Sequence, residues 1–278
     1  MLNKAQLRPI RYAPLIRVGP AQDGGYVVPA DQLSGCGLLL SLGLNDDWSF
    51  DREFVARNPR LRVIGVDHTV GPALFARRLL RSLLKLPGYA VIRHREKIDH
   101  YRRWLRVSFD YFRFFRGRHH HLRKMVGTRD DDVGVTLATL IRMADSVDAT
   151  APPDIFLKMD IEGSEYDCLD DILRHAGRIR CIAAEFHHLD TRTDDFNRAI
   201  AALAQHFHLV HIHGNNFSRF DTRTQFPSAV EITWVNKSLV AEPVSPSALG
   251  YPVTGLDFPN DSHAPDHPLS FGQEPARK

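Results

Sequence analysis

The side chains best suited to chemistry stand in short polar clusters, each at the end of an apolar run. Phe156 to Glu165, FLKMDIEGSE, reaches Asp160, Glu162 and Glu165 around a glycine. Leu38 to Asp47, LLLSLGLNDD, passes Ser41 and Gly43 and then presents Asn45, Asp46 and Asp47. Val63 to Asp67, VIGVD, ends in a single carboxylate. IRCIAAEF, from Ile179 to Phe186, is followed by His187 and His188, and HIHGNN carries His213, Asn215 and Asn216. Carboxylates and imidazoles can grip hydroxyls or cationic groups. An imidazole with a pKa of about 6.5 can also accept a substrate proton near neutrality.

The apolar runs read as buried strands, and between them lie stretches of helical period. Phe50, Phe54 and Val55 mark one helix, with Asp47 or Ser49 as its cap, and Leu74 to Leu86 marks an amphipathic second. Further stripes follow at Tyr166, Leu169, Ile172, Leu173 and Ala176, and at Phe196, Ile200, Leu203 and Phe207. Tyr89 to Ile92 alternates like a strand, and Val230 to Val235 is expected to close the sheet. Strands alternating with helices predict an α/β fold, a doubly wound and mostly parallel sheet covered on both faces. Its ligand then sits above the C-terminal strand ends, where the strand order reverses.

Residues 1–37 form an N-terminal extension, with DGGYVVP (Asp23 to Pro29) as a glycine turn feeding half of a hairpin. Residues 38–238 form the main domain. Residues 239–278, with prolines at 243, 246, 252, 259, 265, 268 and 275, form an irregular tail on that domain with a frayed end.

The turn after Leu42 is not a dinucleotide site, because Gly43 stands alone where G-x-G-x-x-G is needed. Carboxylates there repel a pyrophosphate and suit a ligand with an amino group or sulfonium, such as S-adenosylmethionine. The bland alternative is a glycine turn with an aspartate cap. Asp67 stands about twenty residues on, where an acid binds ribose hydroxyls; its alternative is an ordinary turn aspartate.

SLGLNDDWSFD, LKMDIEGSEYDCL, AAEFHHL and HIHGNN, with DGGYVVP upstream and LDFPN near the end, resemble the FkbM-type methyltransferases. The resemblance covers residues 17 to 98 and 133 to 262. It implies a class I, Rossmann-like fold that uses S-adenosylmethionine, usually methylating oxygen on sugars, glycans or secondary metabolites. By position it brings Gly43, Asp46 or Asp47, and Asp67 to the cofactor and sets Asp160 and Glu162 at the border of cofactor and substrate; Ser41 and Asn45 join Gly43, Asp46, Asp47, Asp67 and Asp160 as cofactor candidates. Asp160, His187 and Glu162 are the candidates for catalysis, and His213, Asn215, Asn216 and Tyr26 for the acceptor. No residue is assigned to a metal.

Residues 99–129 fall outside that resemblance as a basic, aromatic insert expected to be helical. From Arg93 to Arg129 twelve Lys and Arg face three acids, about +9, so the rest of the chain carries about −6 of the total +3. The readings are a lid helix with a solvated Arg face, or contact with an anionic glycan or membrane. Near an anionic leaflet each basic residue adds about 1 kcal/mol. Nucleic acid is the weakest reading, since no recognised binding module is present. The alternative to an enzyme is a catalytically inactive binding module held at a membrane or glycan by this insert. His119, His120 and His121, taken as helical, share no face for a metal. Asp130 to Asp132 resembles the acid runs with which glycosyltransferases hold a metal and sugar nucleotide, and is discounted as a solvated loop. Three scattered cysteines, no apolar leader and no long apolar span lead to the expectation of a cytoplasmic protein, peripheral to a membrane at most.

Overall fold

The computed structural model describes residues 1–147 and 154–272; Pro275 and the expected frayed end lie outside them. In chain order the strands and helices are β1 (Leu15–Val18), β2 (Tyr26–Pro29), β3 (Leu38–Leu42), α1 (Ser49–Arg57), β4 (Arg62–Val66), α2 (Pro72–Val91) and α3 (Arg95–Phe114). There follow β5 (His119–Leu122), β6 (Met125–Val126), β7 (Gly134–Val135), α4 (Leu137–Val147), β8 (Ile155–Met159), α5 (Leu169–Arg174) and β9 (Ile179–Phe186). The series ends with α6 (Thr193–Leu203), β10 (Phe207–Gly214), β11 (Phe220–Asp221), β12 (Phe226–Pro227) and β13 (Val230–Asn236).

Seven strands form the central sheet in the order β10-β13-β9-β8-β3-β4-β5. β13 runs antiparallel to both neighbours and the other pairings are parallel. The strand order reverses between β3 and β8, the switch point at which open sheets bind ligands. There Leu42 lies opposite both Val66 and Met159, so Gly43, Asp67 and Asp160 leave the sheet along one edge.

LLLSL and IFLKM are buried along their whole length because helices cover both faces. Leu38, Leu40 and Leu42 pack with Leu157 and Met159 against Leu140 and Ile141 of α4 and Phe196 and Ile200 of α6. Leu39, Val63 and Phe156 face the other way, onto Phe50 and Phe54 of α1, Phe75 of α2 and Tyr111 and Phe114 of α3. The hairpin β1–β2 lies on this second face, where Thr233 Oγ1 donates to the Val27 carbonyl (2.7 Å).

Four local expectations are corrected. Tyr89 to Ile92 forms the last turn of α2 and its cap, not a strand, since backbone bonds continue past Pro87. Phe207 opens β10 and is not part of α6. β13 lies between β9 and β10 and does not close an edge. The basic insert is helical only in part: α3 packs on α2, while His119, His120 and His121 form the edge strand β5 beside β4. On a strand these histidines alternate. His119 stacks on Phe114, and His121 meets the Tyr111 hydroxyl at 2.7 Å and the Asp67 carbonyl at 3.2 Å.

The tail lies across β10 and β13. Its Asp257 pairs with His211 (2.8 Å), its Asn260 donates to Glu231 (2.7 Å) and its Asp266 meets His213 (2.9 Å). Among the described residues no helix is long and apolar enough to cross a membrane.

Candidate active site

Two hollows meet above the C-terminal ends of β3, β4 and β8, at about 350 Å³ and 280 Å³. Gly43, Asp67, Thr69, Asp160 and Glu162 line both, which makes them one cleft of ligand-binding size. One end is polar, with Asp23, Asn45, Asp47, Asp51 and Lys158; the other has Val66, Met125 and Val126 beside Lys124. Larger hollows of 570 Å³ and 660 Å³ open against Arg52, Arg113 and α3, the first on the outer side of the turn after β3, at Asp46 and Asp47.

Gly43 fixes the shape of the cleft. Its φ of +82° is unfavourable for other residues, and a Cβ there would stand 1.7 Å from the Asp160 carbonyl oxygen. Lys158, nearly buried, donates to the Gly43 carbonyl (2.9 Å). Asp67 braces the turn from the other side. Its Oδ2 accepts from the Leu44 and Asn45 amides (2.9 and 2.7 Å), and its Oδ1 from the Thr69 amide and hydroxyl (2.6 and 2.5 Å). Burial alone would raise its pKa, but these bonds hold the carboxyl below its usual range. With each oxygen accepting twice, Asp67 shapes the turn that a cofactor would meet.

The neighbouring acids divide their work. Asp46 turns away from the cleft to pair with Arg78 (3.2 Å) and Arg103 (3.6 Å) on the α2–α3 hairpin. Asp47 lines the cleft and accepts from the Ser49 amide (2.8 Å) at the start of α1. Asp51, one turn into α1, lies on the cleft wall with 1% of its surface exposed. Burial raises it to about 6 against the opposing pull of Lys158 and of the Ser41 hydroxyl beside it. Ser41, fully buried on β3, turns its hydroxyl to the Asp51 carboxylate. Sequence reasoning missed Asp51 and Lys158. The signal for the second was a lysine inside an otherwise apolar strand.

Beyond Asp160, β9 and the turn after β8 bring four carboxylates around one imidazole. His187 Nδ1 meets Glu165 at 3.1 Å, while its Nε2 stands 3.6 Å from Glu185, 3.7 Å from Glu162 and 3.9 Å from Asp160. Burial disfavours its charge, but the Glu165 bond and the acids win and lift His187 to about 9. The ring of acids favours its charged form, which holds the carboxylates together. Glu165 also accepts from the Ile161 and Gly163 amides (3.0 and 2.9 Å), which fixes the turn after β8. Burial raises Asp160; burial and the charges of Asp160 and Glu231 push Glu185 well up. Asp160, Glu185 and His187 bring ligand atoms within 4.8 Å of one another, as do Asp23, Glu185 and Glu231, so either set has donors able to hold a cation.

The four acceptor candidates stand one layer back. His213 is buried between Glu231 (3.2 Å) and Asp266 (2.9 Å), and these bonds lift it to about 10 although burial opposes charge. Asn215 donates to Glu185 (2.6 Å), Asn216 is spent on the backbone of Asp261 and Ala264, and Tyr26 is buried with Lys158 over its ring at 5.7 Å. His188 has its own backbone strain, with φ at +62°, and packs against Gly163. Asp130 and Asp131 are consumed by turn and helix-cap bonds to Thr136 and Gly134, as befits structural acids.

The family model for the methyltransferase FkbM domain matches residues 41–211, more than half of the chain. The chain belongs to the FkbM methyltransferase family. The match spans the basic segment that sequence reading set outside the resemblance. It stops short of DGGYVVP and LDFPN, which supply Tyr26, Asp257 and Asn260.

Solved structures similar to this FkbM methyltransferase include the precorrin-6y C5,15-methyltransferase of Geobacter metallireducens GS-15, at 13% identity and a TM-score of 0.36, covering 75% of this chain and 86% of that one. The fibrillarin pre-rRNA processing protein of Methanococcus jannaschii matches at 9% identity and 0.38, covering 84% and 73%. The 23S rRNA methyltransferase ErmE matches at 14% and 0.35, covering 77% and 68%. Likeness this distant adds nothing to the sheet order, which is itself that of a class I methyltransferase. A search of curated proteins finds no match.

The methyl donor of this family is S-adenosylmethionine. The cleft fits it. Asp47 and Asp51 could meet its cationic amine and sulfonium end, Lys158 its carboxylate, and the wall of Val66, Met125 and Val126 its adenine.

Proposed function

We propose that this methyltransferase acts on a hydroxyl oxygen of a sugar, glycan or secondary metabolite. The observation that carries the reading is the convergence of Asp160, Glu162, Glu185 and His187 beside the cofactor cleft. Such a polar, acid-lined surround offers hydrogen-bond acceptors to several hydroxyls at once and offers an apolar acceptor little.

The bound donor supplies an activated methyl group on a cationic sulfur. What remains for the chain is to align the acceptor oxygen and remove one proton. In this reading Asp160, which lines both hollows, takes that proton. Glu162, whose side chain is 86% exposed, is placed to meet the acceptor at the mouth. His187, held by Glu165, balances the negative charge around it. Asn215 orients Glu185 from behind.

Asp160→Asn tests this. Incubation with labelled cofactor and a panel of polyhydroxylated acceptors should show wild-type transfer, and kcat should fall about 100-fold or more in the variant. Binding of S-adenosylhomocysteine should persist. Undiminished turnover by the variant would remove Asp160 from the chemistry. A wild-type protein that binds cofactor and methylates nothing in the panel would favour the binding-module reading.

A further inference from the structure

The α2–α3 hairpin exposes apolar side chains that neither the core nor the cleft uses. Leu80, Leu83 and Leu84 are 59%, 54% and 70% exposed, and Val91 and Ile92 at the tip are 82% and 66% exposed. The first three, with Val91, recur at helical spacing along α2, so they form one stripe instead of scattered residues. The opposite side of α2 is occupied, since Phe75 and Ser82 are buried and Leu79, Leu86 and Tyr89 are half-buried. Among the described residues the stripe is therefore a second apolar face with nothing packed on it. Contiguous apolar surface of this kind marks a docking site.

Its borders are basic. Arg77, Arg81 and Lys85 follow the stripe along α2, and Arg93, Arg95 and Lys97 follow the exposed tip. A helix with leucines on one side and Arg and Lys beside them is the pattern that lies in a lipid interface. The apolar side chains enter the acyl boundary and the cations meet anionic headgroups. A phosphate backbone or a soluble anionic acceptor would use the cations and leave Leu80, Leu83, Leu84, Val91 and Ile92 without a role.

We propose that the outer face of α2 and the tip of the α2–α3 hairpin dock the enzyme onto an anionic lipid bilayer. This moves the membrane contact from the 99–129 insert to residues 80–97. It is independent of the acceptor and of Asp160. Asp46 at the cleft turn is tied to Arg78 and Arg103 of the same hairpin, so docking there would also set how the cleft faces the bilayer.

Co-sedimentation of the full chain with vesicles tests it, using phosphatidylcholine alone and phosphatidylcholine with 30% (about a third) phosphatidylglycerol. The wild type should partition at least about 10-fold more strongly onto the anionic vesicles. Leu83→Glu/Leu84→Glu should abolish binding, and Arg81→Ala/Lys85→Ala should weaken it several-fold. Both variants should keep wild-type circular dichroism and S-adenosylhomocysteine affinity, since all four positions are exposed. The proposal is overturned by no preference for anionic vesicles, or by unchanged binding of the leucine variant. It is also overturned by a wild-type dimer that the leucine variant converts to monomer without any vesicle binding, because a second copy would then cover the stripe.

Discussion

Asp51 is the residue at which stability and function pull apart. A nearly fully buried carboxylate costs folding free energy even beside the Ser41 hydroxyl and Lys158, because desolvation disfavours its charge. Its place on the cleft wall offers that charge to a cationic ligand. Asp51→Asn is therefore expected to keep or raise the urea midpoint while weakening S-adenosylhomocysteine binding about 10-fold, read by calorimetry. Equal affinity in the two proteins would take Asp51 out of the cofactor contact. This residue was not legible in the sequence, where SFDREF reads as an ordinary amphipathic turn with a solvated acid. Gly43, Asp67 and Asp160 were legible, because each follows an apolar run at a strand end. Their division of labour was not: the four bonds that occupy Asp67 come from Leu44, Asn45 and Thr69, and only folding brings those donors to it.

At the scale of elements, every strand of the parallel half except β5 was visible as an apolar run. β5 was hidden because HHHL sits among arginines and carries one aliphatic residue. It is an edge strand whose His119 and His121 pack on Phe114 and Phe115 at the end of α3, and only Leu122 meets the apolar core. The error at Tyr89 to Ile92 has a related cause. Pro87 and Gly88 suggest a break, yet α2 continues through them because it packs along α3. The consequence for experiment is direct. Residues 99–129 contain Tyr111 and Phe114 of the second core as well as β5, so they are not a removable lid. Their deletion is expected to abolish cooperative thermal unfolding followed by circular dichroism. A deletion protein that still melts cooperatively would show the segment to be dispensable to the fold.

Across the whole molecule, the tail and the N-terminal hairpin complete the site from outside the matched family region. Asp23, in the turn before β2, reaches the cleft, and Asn260 of the tail bonds Glu231 behind it. His211, His213 and Asn216 of β10 and the turn after it are spent on holding Asp257, Asp266 and Asp261. The sequence motif HIHGNN thus marks a latch for the tail more than a contact for the acceptor. The matching half of that latch, LDFPN, was visible as a motif, but its partners lie across loops too long for spacing to reveal.

One measurement bears most directly on the account: the crystal structure of the protein with S-adenosylhomocysteine. The ligand is expected in the cleft between β3 and β8, with its amino-acid end at Asp47, Asp51 and Lys158, its adenine against Val66, Met125 and Val126, and its sulfur facing the Asp160 side. Density lodged instead in the hollow against Arg52 and Arg113, with the Gly43 cleft empty, would contradict it.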